Sequence, residues 1–569
     1  MQVIRSTPVY DVVVIGSGAG GGTMVKVLTD LGVNVALIEA GPMLHPAKDF
    51  KEHMWPYQME DRGAGKGGAT YFGNGPAFGP YLAPNGYWDI EGEPYTSAPG
   101  NTFKWFRSRI LGGRTNHYGR ISLRYADYDF FPHTRDGLGT DWPIRYEDLS
   151  PYYDKAEEFI GIFGTKEGIR SAPDGKFQPP PAPRVHEVLM QRACGKLNIP
   201  CIPSRMAMIT QPLNGRPACH YCGQCGRGCI TASNYSSSQV QIFPAMKSGR
   251  LTIFNNAMAR ELITDGPGKV KAVSYIDKAT HSEKQIRCRS VVLAASACES
   301  ARLLLNSKGP GYANGLANSS GHVGRNLTDS TGYSLSGYIP ALEGMPRHNN
   351  DGIGGMHVYI PWWEWDKKNK TFPRGYHIEL GGGYHMPGIG SFQGVCSAHE
   401  GYGKSLKDEI RSKFGTTVGF AGRGEMVPNE NTYCEIDPVV VDKWGIPVLR
   451  FHFQWTQYEI DQVKHMRQTF TSIVETMGGK VTTAAPQRDD AGISVGGEII
   501  HEVGTVRMGD DPATSPLNKY CQAHDVKNLF VADGAPLVSN PDKNPTLTIV
   551  ALAWRTAEYL AEELKKGNV

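Results

Sequence analysis

The hydrophobic positions near the N-terminus predict a strand, a helix and a second strand in close succession. Residues 12–15 form the apolar β-branched run VVVI, which suits a strand buried on both faces. Apolar residues then recur at three- and four-residue steps from Met24 to Leu31, as on one face of a helix. A second β-type run, VNVALIEAG, carries the chain to Glu39. The pattern therefore predicts a βαβ unit at the start of the chain.

The turn between this strand and helix reads GSGAGGG, with glycines at positions 16, 18 and 21 in G-x-G-x-x-G register. Gly16 allows a tight turn, Gly18 lets a pyrophosphate approach the backbone, and Gly21 allows the helix to pack closely on the strand. Phosphates would lie at the helix N-terminus, and Glu39 is placed to accept hydrogen bonds from a ribose. The unit thus predicts a dinucleotide site, and the motif alone leaves NAD and FAD open.

A second periodic segment lies near the C-terminus. NLFVADG reads as a strand entering a turn, and NPTLTIVALAWRTAEYL has the three- and four-residue apolar steps of a helix. Asn544 suits the cap of that helix and Pro545 its first helical residue. The start of such a helix presents free backbone N–H groups and a positive dipole end.

Composition and charge narrow the class of protein. The chain has 569 residues, 40% hydrophobic and 20% charged, with a formal net charge of +3. These values fit a soluble globular protein larger than one compact core, and the charge is weak for a nucleic-acid binder. No run reaches the length of a transmembrane helix, and the N-terminus lacks the pattern of a secretory signal, so neither is expected.

Four of the eleven cysteines fall in the stretch ACHYCGQCGRGC. Their spacing is C-x2-C-x2-C-x3-C, which matches the bacterial ferredoxin run except that Ile230 follows the last cysteine instead of proline. A structural zinc site usually pairs two separated knuckles, and disulfides suit a cytosolic chain poorly. An iron–sulfur cluster of the 4Fe-4S or 3Fe-4S type is favoured, with zinc and free or bridged thiols as alternatives. The expected ligands are Cys219, Cys222, Cys225 and Cys229.

Over essentially its whole length the chain resembles the glucose–methanol–choline (GMC) flavin oxidoreductases. Besides the Gly16 loop and the C-terminal block, the matching segments are Leu111–Phe130, Asp141–Glu157, Val291–Leu305 and Val323–Asp329. The resemblance implies FAD and an α/β fold, in which a Rossmann-like FAD-binding domain accompanies a substrate domain with an antiparallel sheet. The expected FAD-binding domain is discontinuous, with residues 1–160, 190–330 and 480–569, and includes the cysteine loop 215–235. Residues 331–480, with aromatic runs such as HVYIPWWEW and VLRFHFQW, are expected to form the substrate domain.

The resemblance also implies an active-site pair. The family keeps a catalytic histidine before GT and a second histidine or an asparagine before the last helix, which correspond to His501 and Asn544. A neutral imidazole can take the hydroxyl proton of an alcohol while the flavin takes the hydride. The asparagine amide can only hydrogen-bond, so it would orient the substrate oxygen.

Further contacts to the flavin follow from the same resemblance. Those implied are Asn116, Asp533, Pro545 and Thr546. Some relatives bind the flavin covalently through a histidine in this region, which makes His117 a candidate tether. Ser330 stands where the family usually has a histidine after VGRNLTD. Side chains that would suit a sugar pocket, although aromatic strands more often form core, are His348, His357, His377, His385, Trp362, Trp363, Trp365 and Gln454.

GMC dehydrogenases with a cysteine motif in this region resemble the chain more than the oxidases do. They include glucoside 3-dehydrogenases and the catalytic subunits of bacterial glucose and gluconate dehydrogenases, which pass electrons through a cluster to a cytochrome, commonly with a small partner subunit. The resemblance implies oxidation of a secondary alcohol of a sugar, glycoside or polyol to a ketone, with glucoside 3-dehydrogenation as the first choice and glucose or gluconate oxidation next. An oxygen-using oxidase with a zinc loop and a non-catalytic redox or assembly subunit are the alternatives. The expected location is the bacterial cytoplasm, or the periplasm after co-export with a partner that carries the signal.

Overall fold

A computed structural model describes residues 8–569 except 53, 55–57, 59–80, 83–87, 226–227, 267, 347–351, 368–370, 385–392 and 488. The strands are β1 (Val9–Ile15), β2 (Val35–Ile38), β3 (Tyr81–Leu82), β4 (Trp88–Asp89), β5 (Thr96–Ser97), β6 (Ile202–Pro203), β7 (Leu251–Phe254), β8 (Ala257–Thr264), β9 (Val270–Asp277), β10 (Ser282–Leu293), β11 (Thr331–Tyr338), β12 (Val358–Ile360), β13 (Tyr376–Gly382), β14 (Thr417–Gly424), β15 (Tyr433–Val441), β16 (Pro447–His452), β17 (Lys480–Val481) and β18 (Leu529–Val531). The α-helices are α1 (Ala19–Asp30), α2 (Pro46–Asp49), α3 (Pro132–Asp136), α4 (Tyr146–Ile160), α5 (Val185–Lys196), α6 (Phe243–Met246), α7 (Ala297–Asn306), α8 (Gln393–Ala398), α9 (Lys404–Lys413), α10 (Gln457–Thr476) and α11 (Thr546–Lys566).

The largest sheet joins the two ends of the chain. Its order is β7-β2-β1-β10-β9-β8, and β18 pairs with the second half of β10. Strands β7, β2, β1, β10 and β18 run parallel, whereas β9 and β8 extend the first half of β10 in antiparallel pairing. Helices α1 and α11 cover one face of the parallel part, and side chains of α1, α11 and the strands form one buried apolar cluster there.

The register of the parallel strands sets the position of the site. Ile15 is level with Ile38 on one side and with Leu293 on the other, and Leu293 is level with Val531. All four strands therefore end at the same edge, where ligands of open α/β sheets bind. The residues that follow these four are Gly16, Glu39, Ala294 and Ala532.

A second sheet is antiparallel and has the order β17-β11-β14-β13-β12-β6. It carries the predicted substrate-domain strands, except that the run VLRFHFQW forms β16, which pairs with β15 and β5 in a separate sheet. Strand β6 reaches the second sheet from residues 202–203, inside a segment assigned by sequence to the other domain. The α/β fold with a second, antiparallel sheet is confirmed, and the domain limits stay a prediction.

Helix α11 begins one residue later than the sequence predicts. Pro545, and not Asn544, holds the cap position, because its carbonyl accepts the first helical hydrogen bond from Ile549 N at 2.9 Å. The Asn544 side chain is used elsewhere, as described below. Along the described residues, no helix combines the length and the apolar character needed to cross a bilayer.

Three glycines let α1 approach the ends of β10 and β18. Gly16 has a φ of +96°, and an added Cβ would lie 2.3 Å from the Ala294 oxygen. A Cβ on Gly21 would lie 2.0 Å from the Gly16 oxygen, and one on Gly20 would lie 1.5 Å from the Ala532 oxygen. Only glycine permits backbone contacts this close.

Gly20→Ala is expected to destabilise the protein, because the backbone of β18 cannot move away from the new methyl group without breaking the sheet. The cost is at least about 1–3 kcal/mol, as for other overpacked sites. Gly195→Ala is the matched control, since an added Cβ in α5 meets no atom within 4 Å, and alanine favours a helix by up to about 1 kcal/mol. Thermal unfolding should show a lower apparent Tm for Gly20→Ala alone; an unchanged Tm would contradict the described contact.

Candidate active site

A cavity of about 430 Å³ lies at the carboxyl edge of the parallel strands. It extends from Glu39, at the end of β2, to the first turn of α11. The sequence-predicted residues that line it are Gly16, Gly18, Glu39, His501, Asp533, Asn544, Pro545 and Thr546. The sequence thus marks positions from five distant segments that the fold brings around one cavity.

Two of the predicted residues, Gly21 and Asn116, lie behind the lining. Gly21 packs on the Gly16 carbonyl. The buried Asn116 side chain donates to the oxygens of Leu111 and Gly113, at 3.1 and 3.0 Å. The Asn116 amide donates both of these hydrogen bonds within its own loop. Asn116 therefore stabilises the loop whose other residues face the cavity.

The nucleotide end of the cavity is built for a dinucleotide. No atom lies within 4 Å of the place where a Cβ on Gly18 would project, so the backbone there is open to a ligand. Glu39 is buried, and its oxygens accept hydrogen bonds from Ser17 Oγ and from Gly41 N. Burial raises the pKa of Glu39, while these hydrogen bonds act against that rise. Its remaining lone pairs are available to a ribose.

Arg107 is a binding residue that the sequence did not single out. Its guanidinium lines the cavity and stacks over Trp105, and Nη2 donates to the Glu93 oxygen at 2.6 Å. Nε and Nη1 are buried and have no hydrogen-bond partner among the described residues. A buried cation with two unused donors suits a polar or anionic ligand such as a phosphate.

Asp533 is held at the turn after β18. Its carboxylate accepts hydrogen bonds from Ala535 N at 2.8 Å, Ser296 N at 3.1 Å and Ser300 Oγ at 2.5 Å. Burial raises its pKa to about 6, although these donors oppose the rise. The residue therefore fixes the turn and keeps a carboxyl group on the cavity wall.

The opposite end of the cavity brings His501 and Asn544 together. Asn544 Nδ2 lies 3.3 Å from His501 Nε2, and both side chains line the cavity. Burial and the nearby Arg423 cation lower the pKa of His501 to about 3, so the imidazole is neutral around pH 7. A neutral imidazole on the cavity wall can accept a proton from a bound hydroxyl group.

Asp329 holds the loop that carries His501. Its Oδ1 accepts from His501 N at 2.9 Å, and its Oδ2 accepts from Gly497 N at 2.8 Å. Ile500, between these two residues, has a φ of +68°, which is rare for a β-branched residue and marks backbone strain next to the histidine. The VGRNLTD motif ends on this aspartate and was the only sequence signal for its role.

Ser330 replaces the family's usual histidine and contacts the imidazole directly. Its Oγ lies 2.9 Å from His501 Nδ1 and accepts from Asn540 Nδ2 at 3.1 Å. Asn540 in turn accepts from the buried Tyr125 hydroxyl at 3.1 Å. Although Ser330 differs from the family's usual histidine, it still gives a polar partner to His501 Nδ1, the ring nitrogen that faces away from Asn544.

Strands β13 and β14 of the antiparallel sheet add two charged residues to this wall, Glu379 and Arg423. Glu379 Oε1 accepts from Asn544 Nδ2 at 3.1 Å, and Arg423 Nη2 lies 3.4 Å from Glu379 Oε2. Burial opposes ionisation of Glu379, but Arg423 and hydrogen bonds from His377 and Asn544 outweigh burial and hold its pKa below the usual range.

The residues considered for a sugar pocket mostly lie elsewhere. His348 and His385 fall outside the described residues. Within the described part of the chain, none of the other six lines the large cavity. Trp362, for example, is 6% exposed and packs against Tyr376 in the core of the second sheet. Aromatic rings on these strands serve packing, and the polar wall comes instead from Glu379 and Arg423.

His117, the candidate covalent tether, lines the cavity. Its Nε2 lies 2.7 Å from Ser108 Oγ, and burial, with the nearby Arg120, lowers its pKa to about 3.

The cysteine loop packs beside this cavity. Cys219 and Cys225 contact a buried apolar cluster that includes Ile121, and Ile121 also lines the cavity. Burial raises the pKa of Cys219 to about 12 and that of Cys222 to about 11, and the charges of the other cysteines contribute to both shifts. The four thiols are therefore close enough to interact.

The distances between the cysteine sulfur atoms bear on whether the loop suits a zinc ion or an iron–sulfur cluster. Among the described residues, the set of three ligand atoms within 4.8 Å of one another is Glu52, His220 and Cys222, not three cysteines. Four thiolates on one tetrahedral zinc would be only about 3.8 Å apart. In a cluster, each thiolate binds a different iron atom and the sulfurs are farther apart.

Two sequence profiles described as GMC oxidoreductase match the chain, over residues 10–331 and residues 428–553. The 2-methyl-1,2-propanediol dehydrogenase of Mycolicibacterium austroafricanum is 30% identical over 97% of this chain and 95% of its own length. The fructose dehydrogenase large subunit of Gluconobacter japonicus is 28% identical over 98% of both chains.

The fold is also that of a solved structure. The crystal structure of pyridoxine 4-oxidase from Mesorbium loti superimposes with a TM-score of 0.65 at 16% identity, and covers 97% of this chain and 99% of that chain. The profile matches and the full-length relatives show that this chain belongs to the GMC oxidoreductase family, which implies an FAD-dependent enzyme acting on CH–OH groups.

Proposed function

We propose that the protein is an FAD-dependent dehydrogenase that oxidises a secondary alcohol of a sugar, glycoside or polyol to a ketone. The observation that carries the proposal is the pair of His501 and Asn544 on the cavity wall, with Nε2 and Nδ2 3.3 Å apart. When bound, FAD supplies the acceptor for the hydride that leaves the alcohol carbon.

The chain's own residues handle the proton and the position of the substrate. His501 is neutral at physiological pH, so its Nε2 takes the hydroxyl proton as the carbon loses hydride. Asn544 orients the substrate oxygen through its amide. Transfer of the hydroxyl proton to His501, together with loss of the hydride to a bound FAD, would leave the alcohol carbon as a ketone.

The residues that would hold FAD run along the cavity. Gly18 and Glu39 serve the adenosine and pyrophosphate part, and Arg107 offers two donors. Pro545 and Thr546 place the N-terminal end of α11, which is the positive end of the helix dipole, on the cavity wall. Asp533 lies between these two ends of the site.

The substrate class rests on the polar wall and on the relatives. Glu379 and Arg423 can hydrogen-bond to several hydroxyl groups of a polyol. The names of the two relatives describe dehydrogenases of a diol and of fructose. Glucoside 3-dehydrogenation is the first activity to assay, followed by oxidation of glucose and gluconate.

An iron–sulfur cluster on Cys219, Cys222, Cys225 and Cys229 is proposed as the electron exit. Support comes from the position of the loop against Ile121 of the cavity wall. Backbone N–H groups also point at the sulfurs, since Tyr221 N donates to Cys219 Sγ at 3.4 Å and the N–H groups of Gln224 and Gly354 bond to Cys222 and Cys225. Such N–H···S bonds stabilise the negative charge of a cluster.

A small partner subunit and a cytochrome acceptor belong to the same proposal. One relative is named as a large subunit, and two apolar side chains of the cysteine loop are solvent-exposed, Tyr221 by 43% and Ile230 by 36%. Exposed apolar groups beside an electron exit suit a protein–protein contact.

The second candidate is an oxygen-using oxidase whose cysteine loop binds zinc. The set of Glu52, His220 and Cys222 within 4.8 Å favours it, because carboxylate, imidazole and thiolate are all zinc ligands. In this alternative, electrons leave directly to oxygen and the loop has a structural role.

His501→Ala is expected to lower kcat by about 10²–10⁴, the usual contribution of a general base. Bound flavin, measured by its visible absorbance, should stay at the wild-type level, because the substitution removes only the proton acceptor. Turnover is assayed with glycosides, sugars and polyols and an artificial electron acceptor, and the exposed His133→Ala is the matched control. Unchanged turnover in His501→Ala would remove the catalytic assignment and favour a non-catalytic subunit.

Anaerobically purified protein is expected to contain iron and sulfide and to give the EPR signal of a 4Fe-4S or 3Fe-4S cluster. Cys222→Ser and Cys225→Ser should lose that signal and the transfer of electrons to a cytochrome, yet substrate should still reduce the flavin. Cys396→Ser is the control, since this cysteine is exposed and lies outside the loop. Zinc without iron, together with rapid peroxide formation, would support the oxidase instead.

A further inference from the structure

Glu379 occupies a place in the site that the base-and-amide pair does not explain. It projects from β13 of the antiparallel sheet, lines the cavity and accepts a hydrogen bond from Asn544. Arg423 on β14 lies 3.4 Å from its second oxygen, and His377 Nε2 lies 3.4 Å from the first. The partly buried carboxylate is ionised, because Arg423 and His377 stabilise its charge.

An ionised carboxylate can only accept hydrogen bonds, and this property fixes the amide of Asn544. The Nδ2 group must face Glu379 Oε1, at 3.1 Å, so Oδ1 must point the other way. Asn544 is only 7% exposed and lines the cavity, and Oδ1 is buried without a hydrogen-bond partner among the described residues. An unpaired buried acceptor on the cavity wall is a place for a substrate hydroxyl donor.

The fixed amide in turn selects the tautomer of His501. Nδ2 has two hydrogens, and besides Glu379 it lies 3.3 Å from His501 Nε2. An N–H directed at Nε2 requires a lone pair on that nitrogen, so the ring proton must be on Nδ1. Nδ1 then donates to Ser330 Oγ at 2.9 Å.

We propose that Glu379 is a positioning residue that acts through Asn544 to keep His501 in the tautomer with an unprotonated Nε2, the atom that takes the hydroxyl proton. The inference rests on the proposed function, in which His501 is the base. It adds that a charged residue of the antiparallel sheet determines which ring nitrogen is basic, and that the Asn544 oxygen accepts a hydrogen bond from a substrate hydroxyl other than the one that reacts.

Glu379→Gln reverses the polarity of this chain of hydrogen bonds. Arg423 has only donors, so the oxygen of the introduced amide turns to Arg423 and its NH₂ group faces Asn544. Asn544 then flips to accept from that NH₂ group, and its Nδ2 no longer directs an N–H at Nε2. The ring proton can move to Nε2, which removes the base without removing any side chain of the pair.

The test compares Glu379→Gln with Glu379→Asp, in which an acceptor-only carboxylate remains. Glu379→Gln is expected to lower kcat by about 10²–10⁴, as for loss of the general base, with normal flavin content. Glu379→Asp should keep most of the wild-type kcat. Equal losses in the two variants, or no loss in Glu379→Gln, would overturn the proposal.

A spectroscopic readout separates positioning from a structural role. In [¹⁵N]histidine-labelled enzyme, the His501 signals are those that disappear in His501→Gln. Wild-type and Glu379→Asp enzyme should show a pyrrole-type Nδ1 and a pyridine-type Nε2, and Glu379→Gln should show the other tautomer or a mixture.

Asn544→Ala is a second variant, for the case that Glu379→Gln loses its flavin. It removes the amide that links Glu379 to His501, so the ring proton of His501 should no longer be confined to Nδ1. An unchanged tautomer in both variants would overturn the inference. Full activity of His501→Ala would instead overturn the proposed function, and the tautomer signals would still decide the part played by Glu379.

Discussion

The close backbone contact between the start of α1 and the ends of β10 and β18 is the constraint on which the rest of the structure depends. An added Cβ on Gly20 would lie 1.5 Å from the Ala532 oxygen, and one on Gly16 would lie 2.3 Å from the Ala294 oxygen. These contacts join the start of the chain to segments near residues 294 and 532 in one parallel edge. Without them the Gly16 loop, the Asp533 turn and the first turn of α11 would not face the same cavity.

Neighbouring charges and hydrogen bonds, not burial alone, decide the ionisation of the acidic groups in this cavity. Burial raises the pKa of Asp329 to about 7, because the nearby Glu502 charge adds to the effect of burial and backbone N–H groups oppose it only in part. Glu379 is partly exposed to the cavity, and the Arg423 cation and the donors His377 and Asn544 hold its pKa below the usual range despite desolvation. The first carboxyl group holds a strained loop in place, and the second keeps a charge at the substrate end of the cavity.

The cysteine loop and the cavity share a wall. Ile121 belongs both to the cavity lining and to the apolar cluster on which Cys219 and Cys225 pack. Arg120, one residue earlier, is buried and interacts with the charges of Cys225 and of His117 on either side. A single layer of side chains therefore separates the group that the thiols bind from the cavity. A change in charge on one side alters the electrostatic potential on the other.

The sequence by itself determined the parts of the protein that depend on local pattern. The βαβ unit, its glycines, Glu39, the cysteine spacing and the segments that carry His501 and Asn544 follow from periodicity, short-range spacing and the family resemblance, since strand, turn and helix chemistry act over a few residues. The tertiary structure decided what depends on distant neighbours. Arg107, Glu379 and Arg423 carry no local signal, and the Asn544 amide, predicted as a helix cap, instead donates to a carboxylate 165 residues away. The direction of a hydrogen bond depends on which partner is an acceptor, and that partner is known only once the two sheets are placed together.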